Sequence, residues 1–152
     1  MRKLQKYSQK SDLMNIRVKI GKEVFRFNLY EELKVDENII NDEINDQPLI
    51  RGFLGTLLTK LERIRADKKA ELEKIYSELY VSYKSSVNKD IGKYPSDDMA
   101  KQLVLKTARY QEAQSEFIIS DENLNKIENC VESFDQRSYL IQTLSANLRK
   151  SS

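Results

Sequence analysis

The chain has no histidine, no tryptophan, one cysteine, two prolines and four glycines among 152 residues. Without histidine it lacks the commonest side chain for acid, base and metal-ligand work near neutral pH, which argues against an enzyme. The lone Cys130 excludes a disulfide within the chain and points to a reducing compartment. Beside Val131 on an apolar face, it reads as a small buried hydrophobe. No apolar run is long enough to span a membrane, and no signal peptide is visible at Met1, so a cytoplasmic setting is expected. No carboxylate pair, glycine-rich phosphate loop or metal-ligand cluster stands out, so no catalytic residue, metal or cofactor is expected.

What the chain does have is charge, helical periodicity and few breakers. Charged residues make up 33% and hydrophobic residues 39%, a thin core under a wet surface. The net charge of +2 conceals blocks. Residues 1–28 hold eight basic residues (Arg2, Lys3, Lys6, Lys10, Arg17, Lys19, Lys22 and Arg26) against Asp12 and Glu23. Residues 29–50 reverse this, with Glu31, Glu32, Asp36, Glu37, Asp42, Glu43 and Asp46 against Lys34. Residues 51–93 turn basic again, with ten Lys/Arg against six Asp/Glu. Such alternation suits pairing between subunits or a polyanion partner, and equally a set of solvated faces.

From Pro48 to about Tyr83 there is no further proline, and the only glycines, Gly52 and Gly55, fall in the first two turns. Apolar side chains recur at Ile50, Leu54, Leu57, Leu61, Ile64, Leu72, Ile75, Leu79 and Tyr83, with Lys68 interrupting the series. The spacing predicts one long helix over 48–87, with Pro48 in its first turn, where a missing N–H costs nothing. A stripe that long must lie on another long helix. Ser96, followed by Asp97 and Asp98, is a good N-cap for helices over 96–150 with little interruption. There Phe117, Ser120, Leu124, Ile127, Val131, Phe134, Ser138, Ile141, Ser145 and Leu148 keep a heptad seam. Ile118, Ile119, Leu140 and Leu144 widen it into a second apolar face, which suits a second partner.

The N-terminal part reads differently. Residues 1–14 are polar and basic and read as a mobile arm. Ile16 to Ile20 and Val24 to Phe27 alternate around Gly21-Lys22, the pattern of a two-residue β-hairpin, whose docking in cis or in trans stays open. Asn28 is a plausible cap for a short helix Leu29–Leu33, and Val35 to Gln47 suits one more short helix before Pro48. The expected fold is therefore mainly α: an elongated long-helix hairpin or coiled-coil bundle with a small N-terminal β-hairpin. Residues 1–28 form the basic arm and hairpin and 29–152 the helical region, with short acidic helices over 29–47.

Two constellations carry functional chemistry. Lys60, Arg63, Arg65, Lys68, Lys69 and Lys74 make a cationic row that could neutralise the phosphates of a single strand. The alternative is a solvated face laced with Arg63–Asp67, Lys69–Glu73 and Lys74–Glu78 pairs, the commoner arrangement. Tyr76, Tyr80 and Tyr83 follow, a stripe suited to stacking on unpaired bases but more often part of a core.

The run Glu31-Glu-Leu, Val35-Asp-Glu, Gln47-Pro48, Leu54, Glu62-Arg-Ile-Arg-Ala-Asp-Lys-Lys69, Glu73-Lys-Ile-Tyr76 and Tyr80 resembles the UvsY-type recombination mediators of T-even-like bacteriophages. So does Glu116-Phe-Ile-Ile-Ser-Asp121, with Val131, Gln136-Arg-Ser138 and the closing amphipathic helix. The hairpin region at residues 1–28 departs from the shorter family pattern, and Glu71 and Glu73 dilute the basic character past Lys69. The resemblance implies a small non-enzymatic protein of the infected bacterial cytoplasm that assembles into a ring through its C-terminal region. It implies binding of single-stranded DNA, engagement of the phage recombinase and the phage single-strand-binding protein, and promotion of recombinase loading. The apolar face holding Phe134, Ile141, Leu144 and Leu148 is the expected contact in a closed homo-oligomer larger than a dimer. The rival expectation is a structural coiled-coil phage assembly or scaffolding component with no nucleic-acid role.

Overall fold

The computed structural model describes residues 15–151; the expected N-terminal arm lies outside them. The fold is mainly α, with a pair of long helices and a small antiparallel hairpin. Strands β1 (Asn15–Ile20) and β2 (Glu23–Asn28) pair from Asn15↔Asn28 to Ile20↔Glu23. Gly21 takes φ 61° in the two-residue turn, a conformation that a residue with a Cβ rarely adopts. Helix α1 (Leu29–Leu33) starts as expected, with the Asn28 side chain accepting from the Glu31 N–H. A short 3-10 turn (Glu37–Ile39) leads into α2 (Ile40–Lys84), then come α3 (Asp97–Lys106) and α4 (Ala108–Ser151).

Three boundaries differ from the sequence reading. Helix α2 begins at Ile40 and runs through Pro48, where a start was expected. A proline inside a helix leaves the carbonyl four residues back without its partner and costs about 3 kcal/mol. Side-chain contacts on the turn before it offset that loss, as described below. At its other end α2 stops at Lys84, short of the expected 87. The helices expected over 96–150 are divided at Thr107, which is extended (φ −73°, ψ 129°). Its N–H donates to the Val104 carbonyl at 3.0 Å, and its own carbonyl accepts from Tyr110 and Gln111. Thr107 thus closes α3 and opens α4.

Chain contacts gather into two compact units. Among the described residues, one comprises 15–61 together with 123–151; the other is Glu62–Glu122. In the first, Leu54, Leu57 and Leu61 of α2 and Leu124, Ile127, Cys130, Val131, Phe134 and Ile141 of α4 are buried. On α4 all of these but Cys130 are heptad seam positions read from the sequence, and Cys130 lies beside the seam. Ile16 and Val18 of β1 are buried too, and Phe25 sets its ring 5.7 Å from that of Phe53. The hairpin therefore docks on its own chain.

The same unit buries a guanidinium. The Arg137 side chain is 4% exposed and pairs with the Glu43 carboxylate. Its Nη1 donates to Gln47 Oε1 at 2.6 Å and its Nη2 to the Lys34 carbonyl at 2.9 Å. Gln47 Nε2 in turn donates to the Phe134 carbonyl at 2.7 Å. Glu43 and Gln47 lie one helical turn apart, directly before Pro48. One arginine thus grips the turn that proline weakens, which accounts for the unbroken helix.

In the second unit fewer apolar side chains are fully buried: Ile75, Ala100, Val104 and Ala113. Tyr76 meets Tyr110 edge-on at 6.0 Å, and the Tyr83 hydroxyl lies 3.0 Å from Thr107 Oγ1. Ser96 caps α3 by accepting from the Met99 N–H, as expected.

Removing one member of a buried ion pair strands the other, at about 3–5 kcal/mol. Arg137→Met should therefore lower the urea-unfolding free energy by that amount. Adding Glu43→Leu should restore much of it. A single variant as stable as the parent chain would show that the network holds nothing together.

Candidate nucleic-acid interface

The six cations of the expected row are not equivalent once placed on α2. Successive helical residues turn by about 100°. Lys60, Arg63 and Lys74 accordingly fall on one flank of the apolar stripe, and Arg65 and Lys69 on the other. Lys68 falls within the stripe itself. Lys60 belongs to the first unit and the other five to the second.

Their partners sort them further. Arg65 pairs with Asp121 of α4, its guanidinium carbon 5.5 Å from the centre of the Phe117 ring. Lys68 pairs with Glu116 of α4 and with Glu71 at 3.2 Å. Its side chain is 34% exposed, and the Glu116 and Glu71 carboxylates raise its pKa. These two cations clasp α2 to α4 and are poorly placed to serve a ligand as well. Lys69 and Lys74 make the expected loose pairs, at 4.0 Å to Glu73 and 3.9 Å to Glu78. Lys74 is 76% exposed even so. The expected Arg63–Asp67 pair does not form, and Arg63 and Lys60 are exposed without an ion pair among the described residues. The cations available to a polyanion are thus Lys60, Arg63, Lys69 and Lys74.

The tyrosine stripe is half-buried. Tyr76 and Tyr80 stack on each other at 6.2 Å, and Tyr76 and Tyr83 are engaged with Tyr110 and Thr107. These contacts are those of packing. The sequence reading passed over a better-exposed aromatic, Tyr94, at 64% exposure in the loop after α2. Asn88 and Lys93 form a β-bridge there around Gly92 at φ 61°, and Lys89, Ile91 and Lys93 are all exposed. An Asn-Lys-Asp-Ile-Gly-Lys-Tyr run offers no periodicity, so only its turn residues were legible.

On α4, Phe134 and Ile141 are buried within their own unit, Leu144 is half-buried and Leu148 exposed. The outward apolar residues of that stretch are Tyr139, Leu140 and Leu148. Among the described residues no cluster of His, Cys, Asp or Glu could hold a metal ion. Nor is any helix among them long and apolar enough to cross a membrane. No protein-family model, no curated protein and no solved structure matches the chain.

Cys130 is fully buried, and burial pushes its thiol pKa up from 9.0 to about 11. Only the thiolate reacts, so a disulfide reagent should label it slowly in the native chain and fully in urea. Between those two values the unfolded chain loses a proton that the native chain keeps. The thiol's contribution to stability is complete below pH 9 and fades as pH rises toward 11. Fast native labelling at pH 8 would place Cys130 outside the core.

Proposed function

We propose that this chain is a non-enzymatic recombination mediator that binds single-stranded DNA as a homo-oligomer. In this reading it helps load a phage recombinase in the presence of a phage single-strand-binding protein, in the cytoplasm of the infected host. The observation that carries the reading is the set of exposed cations on α2, with Lys60 and Arg63 making no ion pair among the described residues. The resemblance of residues 29–150 to UvsY-type mediators supports it. The DNA site is assigned to Lys60, Arg63 and Lys74 on one flank of α2, while Arg65 and Lys68 hold α4 and Lys69 lies on the other flank. A few phosphate contacts per subunit suffice when a ring repeats them, because linked weak contacts multiply. A specific observation favours the rival coiled-coil scaffold: the Arg65–Asp121 and Lys68–Glu116 pairs spend two of the six cations inside the chain.

Fluorescence anisotropy with a labelled oligothymidylate separates the two. The mediator binds, and affinity falls as salt rises. Changing Lys60, Arg63 and Lys74 together to Ala should flatten the salt slope by roughly 2, at about 0.7 per lost contact. Helix content should be unchanged, because these side chains are exposed. Absence of binding by the folded parent chain at moderate salt selects the scaffold.

Assembly is assigned to the outward face of α4 rather than to Phe134 and Ile141. Tyr139 and Leu140 at the surface are the residues a second copy would cover. Placing Asp at Leu140 should yield smaller species on gel filtration with light scattering, with melting temperature nearly unchanged. Placing it at Ile141 should unfold the unit instead. A parent chain that is monomeric at micromolar concentration removes the ring and its avidity together.

A further inference from the structure

The first unit carries an apolar groove that none of the above uses. It encloses about 410 Å³ between the β2 wall, Phe25 and Phe27, and the α2 wall, Leu49 and Phe53. Leu49 is 72% exposed on a helix whose core face points elsewhere. Surfaces of this kind mark binding sites more often than accident.

Charge indicates what would fill it. Asp42, Asp46, Leu49 and Phe53 are spaced by four, three and four residues, which aligns them along one exposed stripe of α2. The stripe is acidic toward the helix start and apolar toward Phe53. Glu32 lines the groove from α1, and Arg26 is the one cation among its lining residues. Glu43, by contrast, is spent on Arg137. A nucleic acid would be repelled here. An acidic peptide would meet three carboxylates for one guanidinium.

We propose that this groove docks a short cationic amphipathic segment of another protein. Its apolar anchors, one helical turn apart, seat between Phe25, Phe27, Leu49 and Phe53, and its Lys or Arg residues meet Asp42, Asp46 and Glu32. This is helix-in-groove recognition, with apolar anchors supplying affinity and charge supplying orientation. The site is separate from the cationic flank of α2, so it stands whether or not the chain binds DNA.

The test uses the full chain and a labelled synthetic helical peptide carrying Leu one turn apart with Lys between. Saturable binding is expected, weakened roughly tenfold by exchanging the peptide's Lys for Glu or its Leu for Ala. Leu49→Asp and the pair Asp42→Lys with Asp46→Lys should each weaken it similarly. All three positions are exposed, so thermal melting should barely move. Oligothymidylate affinity should not change with Leu49→Asp. Equal binding of the Glu peptide, or full binding by a folded Leu49→Asp chain, would overturn the proposal. Two further results overturn it by naming another occupant. One is a synthetic peptide of residues 1–14 binding as tightly as the Leu/Lys peptide, which assigns the groove to the chain's own basic arm. The other is a peptide-driven fall in mass on light scattering, which assigns it to a second copy.

Discussion

The buried guanidinium of Arg137 is the contact on which the first unit depends. A single side chain of α4 reaches a carboxylate and an amide of α2 and the main-chain carbonyl that ends α1. Taking an arginine out of water costs several kcal/mol, and the acceptors on Nη1 and Nη2 offset it, while the buried Nε has no hydrogen-bond partner among the described residues. Here the acceptors come from segments about ninety or more residues away in sequence. That separation makes the contact a specifier of topology: the turn before Pro48, the end of α1 and the middle of α4 must all arrive for the charge to be tolerated. The apolar seam would bring the helices together without it. It would not by itself keep helix where proline weakens it.

The second unit is stabilised by different means. Its fully buried apolar side chains are few and small, and its helices are joined by Arg65–Asp121, Lys68–Glu116, Glu78–Arg109 and Lys84–Asp97. Half-exposed pairs of this kind contribute at most about 1 kcal/mol each. The Lys84–Asp97 pair nevertheless sets local protonation: Lys84, then the Tyr80 hydroxyl, hold the Asp97 carboxyl below its usual value. The two units therefore differ in what keeps them folded, one relying on apolar burial around a polar knot, the other on a lattice of charge. Salt acts mainly on the second.

Much of this was legible from spacing. The α4 seam from Ser120 to Ser145 is buried as its three-four pattern requires, except that Ser138 is half-buried beside the buried Arg137; the Gly21-Lys22 hairpin forms, and Asn28 and Ser96 cap their helices. Three things were not legible, each for a physical reason. Pro48 reads as a helix start because no local signal reports a bond to Arg137, eighty-nine residues on in the chain. Thr107 reads as helix because threonine costs little there; its extended backbone is held by contacts to Leu103 and Tyr83. The six cations read as one row because sequence shows charge and periodicity but not cross-helix partners. Those partners divide the row into clasps and free charges.

Lys68 sits where the apolar stripe of α2 would otherwise be continuous, and it meets Glu116 there. Two striped helices can, in principle, slide by one seven-residue repeat of the α4 seam and bury much of the same area. Sliding α4 by one repeat in one direction would set Arg109 against Lys68 and Gln114 against Arg65. Sliding it the other way would leave Lys68 facing Asn123. Only the observed alignment satisfies both cations. The clasp thus acts as a vernier: it adds little to the strength of the joint and fixes where along its length the joint closes.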